Sequence, residues 1–183
     1  MSVYKYFGLV WLFVYWNEVK NYLSLSSCLC FMDQYSFQYC QKLVIFSRDK
    51  TKVLLGKRKG EADYDDVFSF FGGKMETKDA SIFEGLKREK DEELGAEFRI
   101  QVYPLFTYNL PYTKRDGRKM VLPHYYAVHV SGEPCISEEY SEARWVSLDD
   151  LDSFEPKVET IPATVREISK LEKIIKKGDM ILI

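Results

Sequence analysis

The fold of this chain is constrained most by one stretch, FFGGKMETKDASIFEGLKREKDEELG, which begins at Phe70. A short apolar strand, VFSFF, runs directly into Gly72 and Gly73. The residues from about Ala80 to Leu94 then have the apolar spacing of a helix, and Gly95 stands where a helix normally ends. The sequence therefore predicts a strand, a glycine turn and a helix in immediate succession.

This helix concentrates negative charge on one side. At about 100° per residue, Glu89 and Glu93 lie one above the other and Glu92 is adjacent to them. Such carboxylates repel one another unless a cation lies between them, and Mg²⁺ prefers oxygen ligands together with water and phosphates. Arg88 can pair with Glu92, and the glycine turn can offer a carbonyl to the same ion. A solvated charged face is the alternative interpretation of the same residues.

The rest of the chain predicts short strands and one further helix. The predicted strands are LVIFS, VLLGKRK, AEFRIQVYPLFTYNL, MVLPHYYAVHV and EARWV, with a hairpin turn at Asp116-Gly117. The segment SLDDL predicts a brief helix with Ser147 as its N-cap. A last helix follows Pro162 and ends near Gly178, and its apolar face comprises Val165, Ile168, Leu171 and Ile175. Mixed strands with one central and one terminal helix indicate an α/β sandwich.

Composition excludes several classes of function. A length of 183 residues favours one domain, and a net charge of −2 gives no basic surface for duplex nucleic acid, although a single nucleotide remains open. The four cysteines form no C-x-x-C pair and have no histidine at metal-ligand spacing, which favours reduced thiols in a cytoplasmic protein and no zinc site. His124 and His129 are interpreted as structural.

The N-terminal segment is apolar but short. Its run from Tyr6 to Trp16 is shorter than the roughly 20 residues that a membrane span requires. The polar insert NEVKN that follows this run is atypical of an export signal. We therefore expect no membrane span, an N-terminal extension over residues 1–31 whose role is open, and a single domain over residues 32–183, with Met32 as an alternative start.

The stretch from Gly73 onward resembles the Nudix box, G-x5-E-x7-R-E-U-x-E-E-x-G-U, in which U is a bulky aliphatic residue. Gly73 matches the opening glycine, and Arg88-Glu89, Glu92-Glu93 and Gly95 match the remaining motif at the correct mutual spacing. The flanking segments VLLGKRKG and EARWVSLDDL are also typical of the Nudix family, so that the resemblance extends over roughly residues 41–154.

Three positions depart from the pattern. Asp79 stands in place of the first glutamate of the box, and eight residues rather than seven separate it from Arg88. Lys90 replaces the bulky aliphatic residue, so its side chain must lie along the helix edge or meet an acid. None of these departures removes a residue that the resemblance implies as a metal ligand.

The resemblance implies an α/β/α sandwich with a mixed β-sheet, one central catalytic helix and one C-terminal helix. It further implies Mg²⁺-dependent hydrolysis, with Mn²⁺ as a substitute, of a nucleoside diphosphate linked to another moiety. The implied metal ligands are the Gly73 carbonyl, Glu89, Glu92 and Glu93, with Arg88 as their partner in the catalytic set. The general base is either Glu92 or one of the loop acids Glu76, Glu138, Glu139 and Glu142.

Substrate contacts are also implied by the resemblance. Arg58 is expected to bind phosphate. Glu76, in the loop that follows Gly73, is expected to contact substrate, and Glu142 and Trp145 are expected to lie near a base pocket. The compact length favours a MutT-like (d)NTP pyrophosphohydrolase that forms NMP and pyrophosphate. The alternatives are hydrolysis of ADP-ribose, nucleotide sugars or dinucleoside polyphosphates, and a nucleotide-sensing module without turnover. The expected partners are a small nucleotide substrate and a second copy in a homodimer.

Overall fold

The computed structural model describes residues 36–183, and within them Gln38–Ile183 make up one structural unit. The predictions about residues 1–31, Met32, Cys28 and Cys30 lie outside the described residues. Along residues 36–183, no helix is long and apolar enough to cross a membrane.

The described residues form eight strands and two α-helices. In chain order these elements are β1 (Gln38–Tyr39), β2 (Lys42–Phe46), β3 (Lys52–Arg58), β4 (Phe68–Ser69), α1 (Ile82–Leu94), β5 (Arg99–Thr113), β6 (Lys119–Ser131), β7 (Tyr140–Ser147), α2 (Ile161–Ser169) and β8 (Ile181–Leu182). Short 3₁₀ turns occupy Lys170–Lys173 and Lys177–Asp179. The predicted strands from LVIFS to EARWV are confirmed, and α1 agrees with the predicted acidic helix.

The eight strands form one mixed sheet. Its main path has the order β4-β3-β2-β6-β5-β8, while β1 pairs with β6 and β7 pairs with β3. Strands β2 and β6 run parallel, with Lys42 opposite His124, whereas β5 and β6 form a long antiparallel hairpin. Gly117, in the turn of this hairpin, has a φ of +85°, as a glycine turn allows.

The alternating side chains of β2 place one helix on each face of the sheet. Leu43 and Ile45 belong to the same buried cluster as Leu86 and Leu94 of α1. Their neighbours along the strand point to the other face, where the buried cluster includes Val44, Phe46, Val165 and Ile168. The expected α/β/α sandwich is therefore confirmed, with α1 next to the glycine turn.

The predicted brief helix at SLDDL is wrong. The Leu148 N–H donates to the Thr51 carbonyl at 2.9 Å, so the chain stays bonded to the sheet after β7. The following residues form successive turns, in which the Asp150 N–H donates to the Ser147 carbonyl at 3.2 Å and the Phe154 N–H donates to the Asp150 carbonyl at 2.9 Å. Ser147 therefore ends a strand and caps no helix.

The C-terminal helix is shorter than predicted. Helix α2 begins at Ile161 and ends at Ser169, whose hydroxyl donates to the Val165 carbonyl at 2.7 Å. The chain then tightens into a 3₁₀ turn that still buries Leu171. Strand β8 follows and pairs with β5 through Gln101 and Leu182, an element too short to be seen in the apolar pattern.

Candidate active site

The glycine turn is tied to both β2 and α1. Gly72 has a φ of +110°, and a Cβ atom there would overlap the Gln41 carbonyl oxygen. Its N–H donates to the Glu93 carboxylate, and the Gln41 N–H donates to the Gly73 carbonyl at 2.8 Å. The Lys42 ammonium donates to the Gly72 carbonyl. Only a glycine fits at position 72, because the backbone of Gln41, between β1 and β2, occupies the place of a side chain.

Gly73 gives space to a carboxylate. A Cβ atom at this position would overlap the carboxylate of Glu89. Burial, with the nearby charges of Glu93 and Glu92, raises the pKa of Glu89 above its ordinary value despite the hydrogen bond that Arg88 donates to it. The second glycine of the turn thus allows an acid of α1 to lie against the backbone.

Glu93 is a buried carboxylate with two donors. The residue is 4 % exposed, and its Oε1 accepts a hydrogen bond from the Tyr140 hydroxyl at 2.7 Å while its Oε2 accepts from the Gly72 N–H. Burial and the adjacent Glu93 charge raise the pKa of Tyr140, so this hydroxyl stays a donor. The Arg58 guanidinium lies 4.9 Å from the centre of the Tyr140 ring. A buried charge, its donors and a cation are therefore grouped behind the glycine turn.

Arg88 connects the acids of α1 with the glycine loop. Its Nη1 lies 2.8 Å from Glu89 Oε1 and 3.1 Å from Glu92 Oε2, and its Nη2 donates to the Lys74 carbonyl at 3.0 Å. The predicted pairing of Arg88 with Glu92 is confirmed. The Glu92 side chain is 58 % exposed and turned toward this arginine.

Asp79 replaces the first glutamate of the box without losing contact with Arg88. Its two oxygens accept from Arg88 Nε and Nη2 at 3.0 Å each, and Oδ2 also accepts from the Glu76 N–H at 2.7 Å. The Arg88 bonds, followed by the Glu76 bond, lower the pKa of Asp79 to about 2. Gly85 leaves room for this carboxylate, since a Cβ there would lie 2.8 Å from Asp79 Oδ2. The extra residue before Arg88 is thus absorbed by the loop.

Lys90 has turned inward. Its side chain is 1 % exposed, its ammonium donates to the Phe98 carbonyl at 3.0 Å, and it forms an ion pair with Asp91. The expectation that this lysine meets an acid is confirmed. It also hydrogen-bonds the chain that follows the C-terminus of α1, where a cation is favoured by the helix dipole.

A cavity of about 640 Å³ opens beside the glycine turn. The predicted site residues that line it are Arg58, Gly73, Glu76, Glu89 and Glu93, and Gly72 and Glu139 line it as well. Arg88, Glu92 and Glu138 do not belong to its lining. Glu142 and Trp145 also lie outside the cavity lining. Glu142 forms an ion pair with Arg144, with 2.6 Å between Oε1 and Nε, and the Trp145 ring centre lies 5.6 Å from that of His129.

Sequence reasoning missed several residues that line the cavity. Lys42 begins strand β2, Tyr64 lies in the polar loop after β3, and Tyr112 lies near the end of β5. His124 also lines the cavity, but burial lowers its pKa to about 4, which agrees with the structural role expected for it. No spacing in the sequence links these residues, because the sheet brings them together from separate strands and loops.

The residues facing the cavity suit a hard divalent ion. Glu89 and Glu93 face it together with the Gly72 and Gly73 backbone, and this group offers only oxygen atoms as donors. Within residues 36–183, no three acidic, histidine or cysteine side chains are grouped closely enough to hold an ion by themselves. Glu92 is turned toward Arg88, and both oxygens of Glu93 already accept hydrogen bonds. An ion here would therefore need backbone carbonyls, water and phosphate to complete its ligands.

An α/β/α sandwich with an acidic helix behind a glycine turn defines a Nudix-type hydrolase fold. The NUDIX domain family model matches residues 42–167 of the chain. A MutT NUDIX hydrolase from Burkholderia pseudomallei is similar at 26 % identity with a TM-score of 0.59, covering 73 % of this chain and 98 % of that one. A search of curated protein sequences gave no match.

Two further solved structures share the fold at lower identity. A MutT protein from Methanosarcina mazei Go1 is 19 % identical, with a TM-score of 0.62 and coverage of 75 % of this chain and 96 % of that one. A C. elegans Ap4A hydrolase, solved as a binary complex, is 15 % identical, with a TM-score of 0.62 and coverage of 75 % and 99 %. The chain belongs to the Nudix family, and it is an enzyme of the pyrophosphohydrolase class. Nudix hydrolases generally use a divalent metal ion.

Proposed function

We propose that this enzyme hydrolyses nucleoside triphosphates to NMP and pyrophosphate with Mg²⁺. The observation that carries the proposal is the shared cavity, in which Glu89 and Glu93 lie with Arg58 and Lys42. Carboxylates hold a divalent ion and cations bind phosphate oxygens, so one cavity contains both parts needed to bind a metal-polyphosphate. The segments LLGKRKG and GGK that frame the site resemble MutT-like members, and this resemblance supports a triphosphate as substrate.

The proposed metal donors are Glu89, Glu93 and the Gly73 carbonyl, and Glu92 remains a predicted fourth donor. Mg²⁺ is favoured because these donors are all oxygen atoms, and Mn²⁺ is the expected substitute. When bound, the ion supplies positive charge that offsets the charge of the substrate phosphates and makes water easier to deprotonate. Arg88 positions Glu89 and Glu92 through its hydrogen bonds.

The cations of the cavity are proposed to bind phosphate. Arg58 is held by hydrogen bonding to Ser69 at 3.1 Å and by an ion pair with Glu61 at 3.2 Å, which fix its guanidinium at the cavity wall. The flexible ammonium end of Lys42 donates to the Gly72 carbonyl, and it can turn from there toward a phosphate. Glu76, which also lines the cavity, is proposed to contact substrate from the glycine loop.

We further propose Glu139 as the general base. It lines the cavity, its side chain is 70 % exposed, and it lies 3.7 Å from Arg58 Nη1. Glu139→Gln is expected to lower kcat by about 100-fold or more, because an amide cannot accept the proton of the attacking water. Steady-state kinetics with saturating metal measures this effect.

Glu138→Gln is the matched control for Glu139, because it removes the same charge from the preceding, exposed position outside the cavity lining. We expect its kcat to stay within about twofold of the wild-type value. A kcat of Glu139→Gln as high as that of Glu138→Gln would exclude Glu139 as the base and return the role to Glu76, Glu92 or Glu142.

The other substrate classes stay open to the same site. The similarity to an Ap4A hydrolase keeps dinucleoside polyphosphates as a second candidate, and ADP-ribose and nucleotide sugars share the same diphosphate chemistry. A nucleotide sensor without turnover is the remaining alternative.

The free thiols of Cys40 and Cys135 support a reducing, cytoplasmic location. The single domain over residues 32–183 and the homodimer are retained as proposals.

Product analysis on a substrate panel tests the proposed function. Wild-type protein is incubated with (d)NTPs, ADP-ribose, nucleotide sugars and dinucleoside polyphosphates, in Mg²⁺ and in EDTA, and products are separated by ion-exchange chromatography. We expect NMP and pyrophosphate from a (d)NTP in Mg²⁺ only. Turnover confined to another class would replace the triphosphate, and tight nucleotide binding without any product would establish the sensor.

A further inference from the structure

Two tyrosines form an aromatic wall of the cavity. Tyr64, in the loop between β3 and β4, and Tyr112, near the end of β5, have ring centres 5.6 Å apart and planes inclined at 35°. Both line the cavity, although they lie 48 positions apart in the sequence. We define Tyr64 and Tyr112 as the tyrosine pair. The glycine turn and α1 contribute neither ring, so the pair is independent of the Nudix box.

The tyrosine pair is fixed by bonds between the β3–β4 loop and the β5–β6 hairpin. The Asp63 side chain is 3 % exposed, its Oδ1 accepts a hydrogen bond from the Arg115 N–H at 3.3 Å, and its Oδ2 lies 3.8 Å from the Lys114 ammonium. Burial of a carboxylate is unfavourable unless cations or donors compensate it, so this contact holds the loop in one place. The two rings are therefore already held together in the absence of a ligand.

Glu61 connects this wall to the phosphate-binding cation. Its Oε2 lies 3.2 Å from Arg58 Nη1 and its Oε1 lies 3.8 Å from the Lys114 ammonium. The loop that carries Tyr64 thus starts at Arg58, and one acid of this loop pairs both with Arg58 and with Lys114 of the β5–β6 hairpin. A ligand whose phosphates contact Arg58 would extend its other end along this loop.

Apolar side chains line the cavity together with the tyrosine pair. Leu110, Met120 and Leu122 line the same cavity, and burial raises the pKa of Tyr112, so its phenol remains neutral. Flat aromatic and aliphatic groups of this kind bind the faces of heteroaromatic rings, and they do so with little dependence on which base is present. An extended polyphosphate would lack a flat apolar face to cover these rings.

We propose that the tyrosine pair binds the nucleobase of the substrate and that Asp63 positions it by fastening the loop. The inference rests on the proposed function in requiring that the cavity accept a nucleotide, and it assigns base recognition to residues outside the Nudix box. Base recognition here differs from the sequence-based expectation for Glu142 and Trp145, which lie outside this cavity. The ligand class is a nucleoside polyphosphate with an unblocked base face.

Equilibrium binding separates the base from the phosphates. The probes are the α,β-methylene analogues of ATP and CTP, which cannot be cleaved at that bridge, and inorganic tripolyphosphate, which has no base. Isothermal titration in Mg²⁺ compares wild type with Tyr112→Ala, Tyr64→Ala and Tyr112→Phe, each first checked for its thermal unfolding midpoint. Tyr112→Phe is the matched control because it keeps the ring and removes only the hydroxyl.

Each alanine variant is expected to weaken binding of both nucleotide analogues by about tenfold and to leave the tripolyphosphate Kd within about twofold. Tyr112→Phe keeps the aromatic ring and is expected to retain most of the nucleotide affinity that Tyr112→Ala loses. The proposal is overturned if alanine weakens tripolyphosphate as much as the nucleotides, or if nucleotide binding is unchanged in folded Tyr112→Ala or, should that variant unfold, in Tyr64→Ala. Because binding and not turnover is measured, the role of the tyrosine pair can be tested even if the protein hydrolyses no nucleotide.

Discussion

Glu93→Gln is expected to keep the folded structure and to lose hydrolysis. The amide oxygen can accept from the Gly72 N–H while the amide nitrogen donates to the Tyr140 hydroxyl oxygen, so both contacts of this buried side chain survive. The free energy of unfolding should therefore change by only about 1 kcal/mol. Loss of the negative charge removes a proposed metal donor, and kcat should fall by about 100-fold or more.

Glu97→Gln is the control for this change, since it removes the same charge from an exposed position just after α1. Urea unfolding and metal-dependent product release are measured on both variants and on wild type. Wild-type turnover in Glu93→Gln would show that the carboxylate serves only the fold. A rise in stability without loss of activity would support a structural acidic helix, because removal of charge relieves repulsion among Glu89, Glu92 and Glu93.

Gly72→Ala and Gly73→Ala are expected to fail in different ways. At Gly72, the positive φ of +110° and the overlap with backbone of Gln41 combine, and the free energy of unfolding should fall by about 3 kcal/mol. At Gly73, the overlap is with the end of the flexible Glu89 side chain, which can move. Stability should then change by less than about 1 kcal/mol, whereas kcat should fall by about tenfold or more because a catalytic acid is displaced.

The two neighbouring glycines are matched controls for each other. Denaturant unfolding gives the stability of each variant, and initial rates in Mg²⁺ give the activity of the folded fraction. Equal losses of stability would contradict the distinction between backbone and side-chain overlap. Full activity in Gly73→Ala would mean that the position of Glu89 against the glycine turn is unimportant for hydrolysis.

The predictable part of the fold is the part fixed by local patterns. The continuous apolar run from Leu43 to Phe46 is visible in the sequence, and a strand with such a run buries side chains on both of its faces, where the two helices pack. The C-terminal segment shows the limit of such patterns. Its apolar spacing continues to Ile175, yet the α-helix ends at Ser169 and tightens into a 3₁₀ turn, because tertiary contacts rather than spacing determine where the helix stops.

The same distinction applies to the candidate site. Glu89, Glu92 and Glu93 are neighbours on one helix, so their grouping follows from sequence, but the inward turn of Glu93 depends on Tyr140 from a distant strand. Lys90 breaks the aliphatic pattern of the box. Its buried ammonium donates to the Phe98 carbonyl, which comes close only in the folded chain. The tyrosine pair joins a loop and a strand end, and no local pattern indicates that contact.

The central claim is that the acids of α1 and the glycine turn form a divalent-metal site, and Mn²⁺ binding tests it most directly. Free Mn²⁺ is followed by electron paramagnetic resonance during titration of wild type, Glu89→Gln and the exposed control Glu97→Gln, all without substrate. We predict saturable binding to wild type and control, and binding at least about tenfold weaker to Glu89→Gln. Identical isotherms for all three proteins, or no binding to wild type, would contradict the account.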